Sequence, residues 1–365
     1  MEHFARRLNR GVAKPVRLAL GASLGNPRER AFLLGYLGAL RKAARMRRGF
    51  EKEGLHVPPH LIASVASTCN LFCAGCYARA NSTVSESTCA AQLSDADWAR
   101  IFDEAKELGV TFILIAGGEP FTRKGVLEAA ADTPEILFPV FTNGTMFDAA
   151  YLDLFDARRN LVPMLSLEGG EEETDRRRGA GVYKKLSAAM ERLEERGILY
   201  GVSVTVTKEN LRRVTEPAFA GALRERGCRV VLYVEYVPVA DAGAVLALDD
   251  AGRKELLCRV DALRLKRRGL IFIAFPGDED AMGGCLAAGR GFFHISARGD
   301  AEPCPFSPFS DTSLKNASLR EALFSPLFEK LRRGGFLEGD HAGGCALYPR
   351  EAEIRALAGE ENIPV

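Results

Sequence analysis

Between residues 61 and about 239, short apolar runs alternate with stretches whose apolar positions recur at helical spacing. Runs of strand length fall at 61–66, 112–116, 136–142, 161–167, 200–207 and 229–237. Helix-spaced stretches lie near 95–108, 123–131, 148–157, 183–196 and 216–226. Ser94, with Asp97 three residues on, reads as an N-cap opening the first of these helices. Strand–helix alternation of this kind predicts parallel strands joined by right-handed crossovers. Six such units fit either an incomplete barrel or a doubly wound sheet. Both place a functional site at the C-terminal ends of the strands.

Before this region, residues 27–48 form a predicted helix. Phe32, Leu33, Tyr36, Leu37 and Leu40 share one face, and Arg41, Lys42, Arg45, Arg47 and Arg48 crowd the last turns. The expectation is a helix packed on the outside of the main domain; a basic surface for an acidic peptide or a membrane is the sharper alternative. The consecutive prolines of 56–60 read as a linker. After a further helix near 249–268, the pattern changes. Residues 270–348 hold three cysteines, many glycines, short strand-like pieces such as 292–296 and an amphipathic helix at 319–333. The expected division is a basic helical extension at 1–60, a core at 61–245, a small module at 246–348 and a tail at 349–365.

Charge and composition narrow the partners. The formal net charge of +1 over 365 residues offers no whole-protein field for nucleic acid. No apolar run reaches the roughly 18–20 residues of a membrane span, and no secretory leader is read at the N-terminus. Asn81, Asn143 and Asn316 stand in glycosylation-type triplets that are expected to be chance matches. Nine cysteines, three of them within eight residues, favour metal binding in a reducing, cytoplasmic compartment over a disulfide framework.

The chemistry concentrates at the ends of the predicted strands. Cys69, Cys73 and Cys76 follow the first strand with spacing C-x3-C-x2-C. Thiolates are preferred ligands of iron–sulfur clusters, and three of them leave one iron open. A zinc site is the competing reading, but structural zinc usually takes four protein ligands and no fourth lies close in sequence. Gly117-Gly118-Glu119-Pro120 follows the second strand, Thr142-Asn143-Gly144 the third and Ser166-Leu167-Glu168-Gly169 the fourth; Asp175 to Gly179 comes shortly after.

In the order and spacing of these motifs the chain resembles the radical S-adenosylmethionine (SAM) superfamily over about 180 residues. That resemblance implies a [4Fe–4S] cluster on Cys69, Cys73 and Cys76 whose open iron chelates SAM. One electron then cleaves SAM to methionine and a 5′-deoxyadenosyl radical, which abstracts hydrogen from a substrate. It further implies SAM contacts from Gly117, Gly118, Glu119 and Pro120 at the amino group. Thr142 and Asn143 are expected to bind the cofactor as well, Ser166 and Glu168 at its ribose or methionine part, and Arg178 at the carboxylate. Relatives often carry Asp where this chain has Glu168. Many also place an aromatic residue just before the third cysteine, against the adenine; Gly75 stands there, with Phe72 and Tyr77 as substitutes. The fold class expected is α/β: a partial (β/α)6 TIM-like barrel with a helical N-terminal extension and a small C-terminal domain.

Cys285, Gly299 and Cys304, followed by a helix and Cys345, resemble the opening of the SPASM and twitch modules that hold auxiliary iron–sulfur clusters. Three cysteines imply one auxiliary cluster with an open or non-cysteine fourth position. Cys258, Asp300, Asp311 and His294 are weaker candidates for it, Cys258 reading better as a core thiol, and Cys89 and Cys228 read as structural. Enzymes with such modules modify ribosomally made peptides or act on small-molecule, cofactor or lipid precursors. An electron donor such as flavodoxin or ferredoxin is the implied partner. A non-catalytic iron–sulfur protein is a distant third reading.

Overall fold

A computed structural model describes residues 26–85, 92–238, 241–266, 269–280, 282–338 and 345–359, with Phe4, Leu8, Val16, Leu18, Ala19 and Gly21. Cys89 and the end of the tail, 360–365, lie outside these residues. Six parallel strands stand within two residues of their expected places: β1 (His60–Ala66), β2 (Phe112–Gly117), β3 (Phe138–Thr142), β4 (Leu161–Ser166), β5 (Gly201–Val206) and β6 (Val230–Glu235). A seventh, β7 (Ile271–Phe275), pairs parallel to β6, so the sheet runs one unit beyond residue 245. A short antiparallel pair, β8 (His294–Ile295) and β9 (Ala301–Glu302), joins the opposite edge through β1.

The spatial order is β7-β6-β5-β4-β3-β2-β1-β8-β9. Strands 1 to 7 follow one another without reversal. Right-handed crossovers in such an order put every helix on one face, whereas a doubly wound sheet needs a reversal point. The incomplete barrel is therefore the architecture, open between its two edges.

Side-chain alternation separates the two faces. Leu61, Ala63 and Val65 of β1, Ile113 and Ile115 of β2, and Val202 and Val204 of β5 enter the main core with Trp98, Phe102 and Leu186 from the helices. On the other face, Val162 and Met164 cluster with Phe141, Val230 and Leu232. This inner face turns small and polar toward the strand ends, at Ser64, Ala66, Ala116, Ser166 and Thr205. Apolar filling at one end and polar groups at the other leave the C-terminal end as the place for a ligand.

The opposite end is closed by helix Pro27–Lys52, capped at Asn26. Leu33, Tyr36 and Leu40 pack on Ile271, with Leu137 and Val230 alongside. All three belong to the beginnings of strand segments, so this helix plugs the bottom of the barrel rather than lying on its flank. The Tyr36 hydroxyl donates to Thr111 O and the Arg47 guanidinium to Gly109 O. Arg47 is buried; Arg41, Lys42, Arg45 and Arg48 form the exposed basic face.

The capping box at Ser94 is present, with Asp97 N donating to Ser94 Oγ at 3.1 Å and Ser94 N to Asp97 Oδ2 at 2.9 Å. The helix expected at 319–333 is two helices, Leu319–Ala322 and Pro326–Arg333. Pro326 cannot donate a helical hydrogen bond, and Ser325 caps a new start by accepting from Phe328 N at 3.1 Å. No helix among the described residues is long and apolar enough to cross a membrane.

Candidate active site

The segment Cys69–Cys76 leaves the C-terminal end of β1 as a loop fixed on three sides. Asn143 Nδ2 donates to Asn70 Oδ1 and Asn70 Nδ2 to Thr145 Oγ1, both at 2.8 Å, tying the loop to the turn after β3. Arg79 donates to Leu71 O at 2.8 Å and to Cys69 O at 3.2 Å. On the third side, Ala74 N donates to Arg177 O at 2.8 Å and Arg177 Nε to Ala74 O at 3.1 Å. The three thiols are half-buried. Burial pushes the Cys69 thiol up, and Glu119, Cys73 and Cys76 nearby add to the shift.

Gly117 and Gly118 bring the end of β2 against this same segment. Gly118 N donates to Ala66 O at 2.7 Å and Glu119 N to Thr68 O at 2.8 Å. A Cβ on Gly118 would lie 1.8 Å from Thr68 O. Close approach is required here, and its immediate partner is the chain leading into Cys69.

Glu119 is buried rather than exposed on a turn. Its Oε1 accepts from Thr142 Oγ1 at 2.7 Å and Phe121 N at 3.1 Å, and its Oε2 from Asn143 N at 2.8 Å. The carboxylate thus joins the ends of β2 and β3 and leads into the turn Pro120–Thr122. Burial pushes its pKa up to about 7, against the pull of these three donors and of Arg178.

Glu168 and Arg178 meet each other. Glu168 Oε1 accepts from Arg177 Nη1 at 2.6 Å, from Arg178 Nε at 2.8 Å and from Arg178 Nη2. Its Oε2 accepts from Thr205 N at 3.2 Å. The longer side chain of Glu reaches both arginines of helix Glu171–Arg178, an element unmarked in the apolar pattern because its sequence is all polar. Arg177 is a structural tie between Glu168 and Ala74. Arg178 keeps one outward edge, with Nη1 3.9 Å from Cys73 Sγ. Ser166 ends β4 on the inner face, half-buried.

Neither aromatic substitute faces the position of Gly75. Tyr77 is half-buried against Phe306, with ring centroids 4.9 Å apart, and Phe72 is 75% exposed beneath the Arg79 guanidinium. Tyr236, just after β6, fills that place instead: a Cβ on Gly75 would lie 2.7 Å from its hydroxyl. Sequence reading missed Tyr236, since only the closure of the sheet brings it beside the third cysteine.

Cys285, Cys304 and Cys345 are buried. Burial pushes all three thiols up; Cys345 and Cys285 raise Cys304 further, and Glu279 raises each of the three. Three thiols and a carboxylate therefore lie within electrostatic reach of one another. Glu279, whose Oε2 accepts from Leu286 N at 3.1 Å, carries no local sequence signal and was missed. The other candidates are engaged elsewhere. His294 lies 2.7 Å from both Glu302 and Ser64. Asp311 accepts from Leu327 N at 2.7 Å, and Asp300 takes Ser296 Oγ at 3.0 Å. Cys258 is exposed on its helix rather than a core thiol, because the helix buries Leu256 and Val260 instead. Cys228 is buried, its Sγ 3.2 Å from Val230 O.

Both cysteine sets suit iron by donor chemistry. Among the described residues no three His, Cys, Asp or Glu side chains are gathered at metal-ligand spacing. Bare thiols have no mutual attraction to close them, and metal binding supplies it by displacing their protons.

Residues 64–216, from β1 to the helix after β5, match the family model described as the Radical SAM superfamily. Those residues form a radical SAM domain within this chain. A domain of this family implies a [4Fe–4S] cluster and SAM. Two similar proteins come from Methanosarcina barkeri. An Fe-coproporphyrin III synthase is 27% identical over 257 residues, 67% of this chain but only 62% of that protein's own length. An AdoMet-dependent heme synthase is 27% identical over 327 residues, 82% of this chain and 92% of the other. A PqqA peptide cyclase of Granulibacter bethesdensis is 28% identical over 75% of this chain and 76% of its own. Among solved structures, Streptococcus suis SuiB bound to S-adenosylmethionine superposes with a TM-score of 0.66 at 19% identity, covering 85% of this chain and 76% of SuiB. That likeness extends the shared fold beyond residues 64–216.

Proposed function

We propose that this radical SAM enzyme modifies a ribosomally made peptide, acting through SAM held at the C-terminal end of the barrel. The observation that carries the reading is the packing of the cysteine loop directly against Gly117-Gly118-Glu119. Cys69, Cys73 and Cys76 hold the [4Fe–4S] cluster. Gly117, Gly118, Glu119 and Pro120 take the methionine end of SAM, with Thr142, Asn143 and Ser166 beside it. When bound, cluster and SAM supply the 5′-deoxyadenosyl radical that abstracts hydrogen. The chain's part is to fix the loop, to keep a buried carboxylate beside the thiols and to present a small polar inner face. Residues 61–245 with β7 form the core, and Cys285, Cys304 and Cys345, with Glu279 alongside, hold one auxiliary cluster in a SPASM/twitch-like module. A flavodoxin or ferredoxin supplies the electron.

The peptide reading draws on the similarity to the PqqA peptide cyclase. The AdoMet-dependent heme synthase, matched over 92% of its length, favours a second reading in which the substrate is a tetrapyrrole or another cofactor precursor. One experiment tests both. The anaerobically purified, reduced protein is given SAM, and 5′-deoxyadenosine is measured; none formed would overturn the radical SAM assignment of the site. Deuterated peptide or porphyrin candidates then identify the substrate by deuterium in the 5′-deoxyadenosine.

A further inference from the structure

Two arginines at consecutive helix positions share one buried carboxylate beside a cluster ligand. An isolated carboxylate as buried as Glu168 would cost several kcal/mol, an order of magnitude set by desolvation. Here it is held from every side. Thr174 Oγ1 accepts from Glu168 N at 3.2 Å, Asn210 Nδ2 donates to Glu168 O at 3.1 Å, and Thr205 N donates to Oε2. The carboxylate is therefore a fixed anchor, and both guanidinium groups are oriented by it.

What the anchor leaves over points at the cysteine loop. Arg177 is bonded through both its backbone carbonyl and its Nε to Ala74, the residue immediately after Cys73. Arg178 spends Nε and Nη2 on Glu168, which leaves Nη1 toward Cys73 Sγ. Two cations against one carboxylate leave a net positive charge of one beside that sulfur.

We propose that Glu168, Arg177 and Arg178 form a positioning bracket for the SAM-binding cluster: Arg177 clamps the cysteine loop, and Arg178 sets the charge at Cys73. The proposal rests on the radical SAM reading above. It gives this chain's Glu168 a specific purpose, since a carboxylate one methylene shorter would not span both arginines. Positive charge and hydrogen bonds at a ligating sulfur favour the reduced cluster, because reduction adds one negative charge there. Arg178 therefore raises the cluster's reduction potential, while Arg177 governs how firmly the loop retains iron.

The test uses the full chain, reconstituted anaerobically, with Cys285, Cys304 and Cys345 changed to Ala so that one cluster is read. Iron per chain, the reduced-state paramagnetic resonance spectrum, the midpoint potential and SAM affinity are measured. Arg178→Gln is expected to keep its iron and shift the midpoint to lower potential, and Arg178→Lys to recover part of the shift. Arg177→Gln and Glu168→Asp are expected to lose iron to a chelator several-fold faster. An unmoved midpoint in Arg178→Gln with weakened SAM binding would overturn the proposal and make Arg178 a ligand of the SAM carboxylate. Unchanged iron loss in both Arg177→Gln and Glu168→Asp would overturn the clamp. If a variant fails to fold, the charge-preserving Arg178→Lys still decides, because a midpoint as low as an uncharged site would give contradicts the charge argument. Failure of the parent protein to bind iron would instead strike the radical SAM reading itself.

Discussion

Glu119 is the residue at which burial and chemistry pull hardest against each other. Its pKa is pushed up to about 7 from an ordinary 4.5 by burial. A carboxyl raised in the folded state contributes stability that is fully present below about pH 4.5 and is lost as pH rises through about 7. The difference corresponds to about 3 kcal/mol between the two protonation states. Glu119→Gln should therefore flatten the fall in stability of the metal-free chain across that window. Denaturant midpoints at pH 4.5 and pH 8 measure this, and equal slopes for both proteins would refute it. In the loaded protein the same change should weaken SAM binding by about 1.5–3 kcal/mol, the scale of a charge-assisted hydrogen bond.

At the scale of elements, two glycines of different surroundings separate close approach from mere flexibility. Gly118 follows the end of β2 and lies against backbone, whereas Gly35, on helix Pro27–Lys52, has nothing within 4 Å of an added Cβ. Gly118→Ala should lower stability by about 1–3 kcal/mol, the cost of overpacking, and reduce iron retained at the cysteine loop. Gly35→Ala should raise stability by about 1 kcal/mol through helix propensity without touching iron content. Melting curves and iron analysis on both variants check the contrast; a shift of the same sign in both would undo it. The strand units were legible because their apolar runs are bounded by turns. Helix Glu171–Arg178 was not, since a polar helix stabilised by Glu168 and Thr174 leaves no apolar stripe to read.

For the whole molecule, the proposal assigns one cluster to the cysteines at the barrel's strand ends and an auxiliary one to the cysteines near its β8–β9 edge. Changing Cys69, Cys73 and Cys76 to Ala should remove about four irons per chain, the content of one cube, and leave the rest. Changing Cys285, Cys304 and Cys345 should remove the remainder and spare the first site. Iron analysis of each triple variant tests this; unchanged iron after the first would contradict the central assignment. The helix that closes the barrel bottom also belongs to this scale. Its amphipathic pattern was plain, but its docking place was not, because Ile271, Leu137 and Val230 are scattered in sequence and meet only when the sheet curls.

The sequence by itself determined where six strands lie along the chain, the cap at Ser94 and the turn that carries three cysteines, because each depends on neighbours a few residues apart: Ser94 on Asp97, Cys69 on Cys73 and Cys76. Only tertiary structure decided what those turns face. It folded Glu119 inward onto Thr142 and Asn143, turned Glu168 and Arg178 toward each other and brought Tyr236 to Gly75. A buried charge takes whichever partner the chain brings within hydrogen-bond reach, and that choice is made across strands, where sequence spacing carries no distance information.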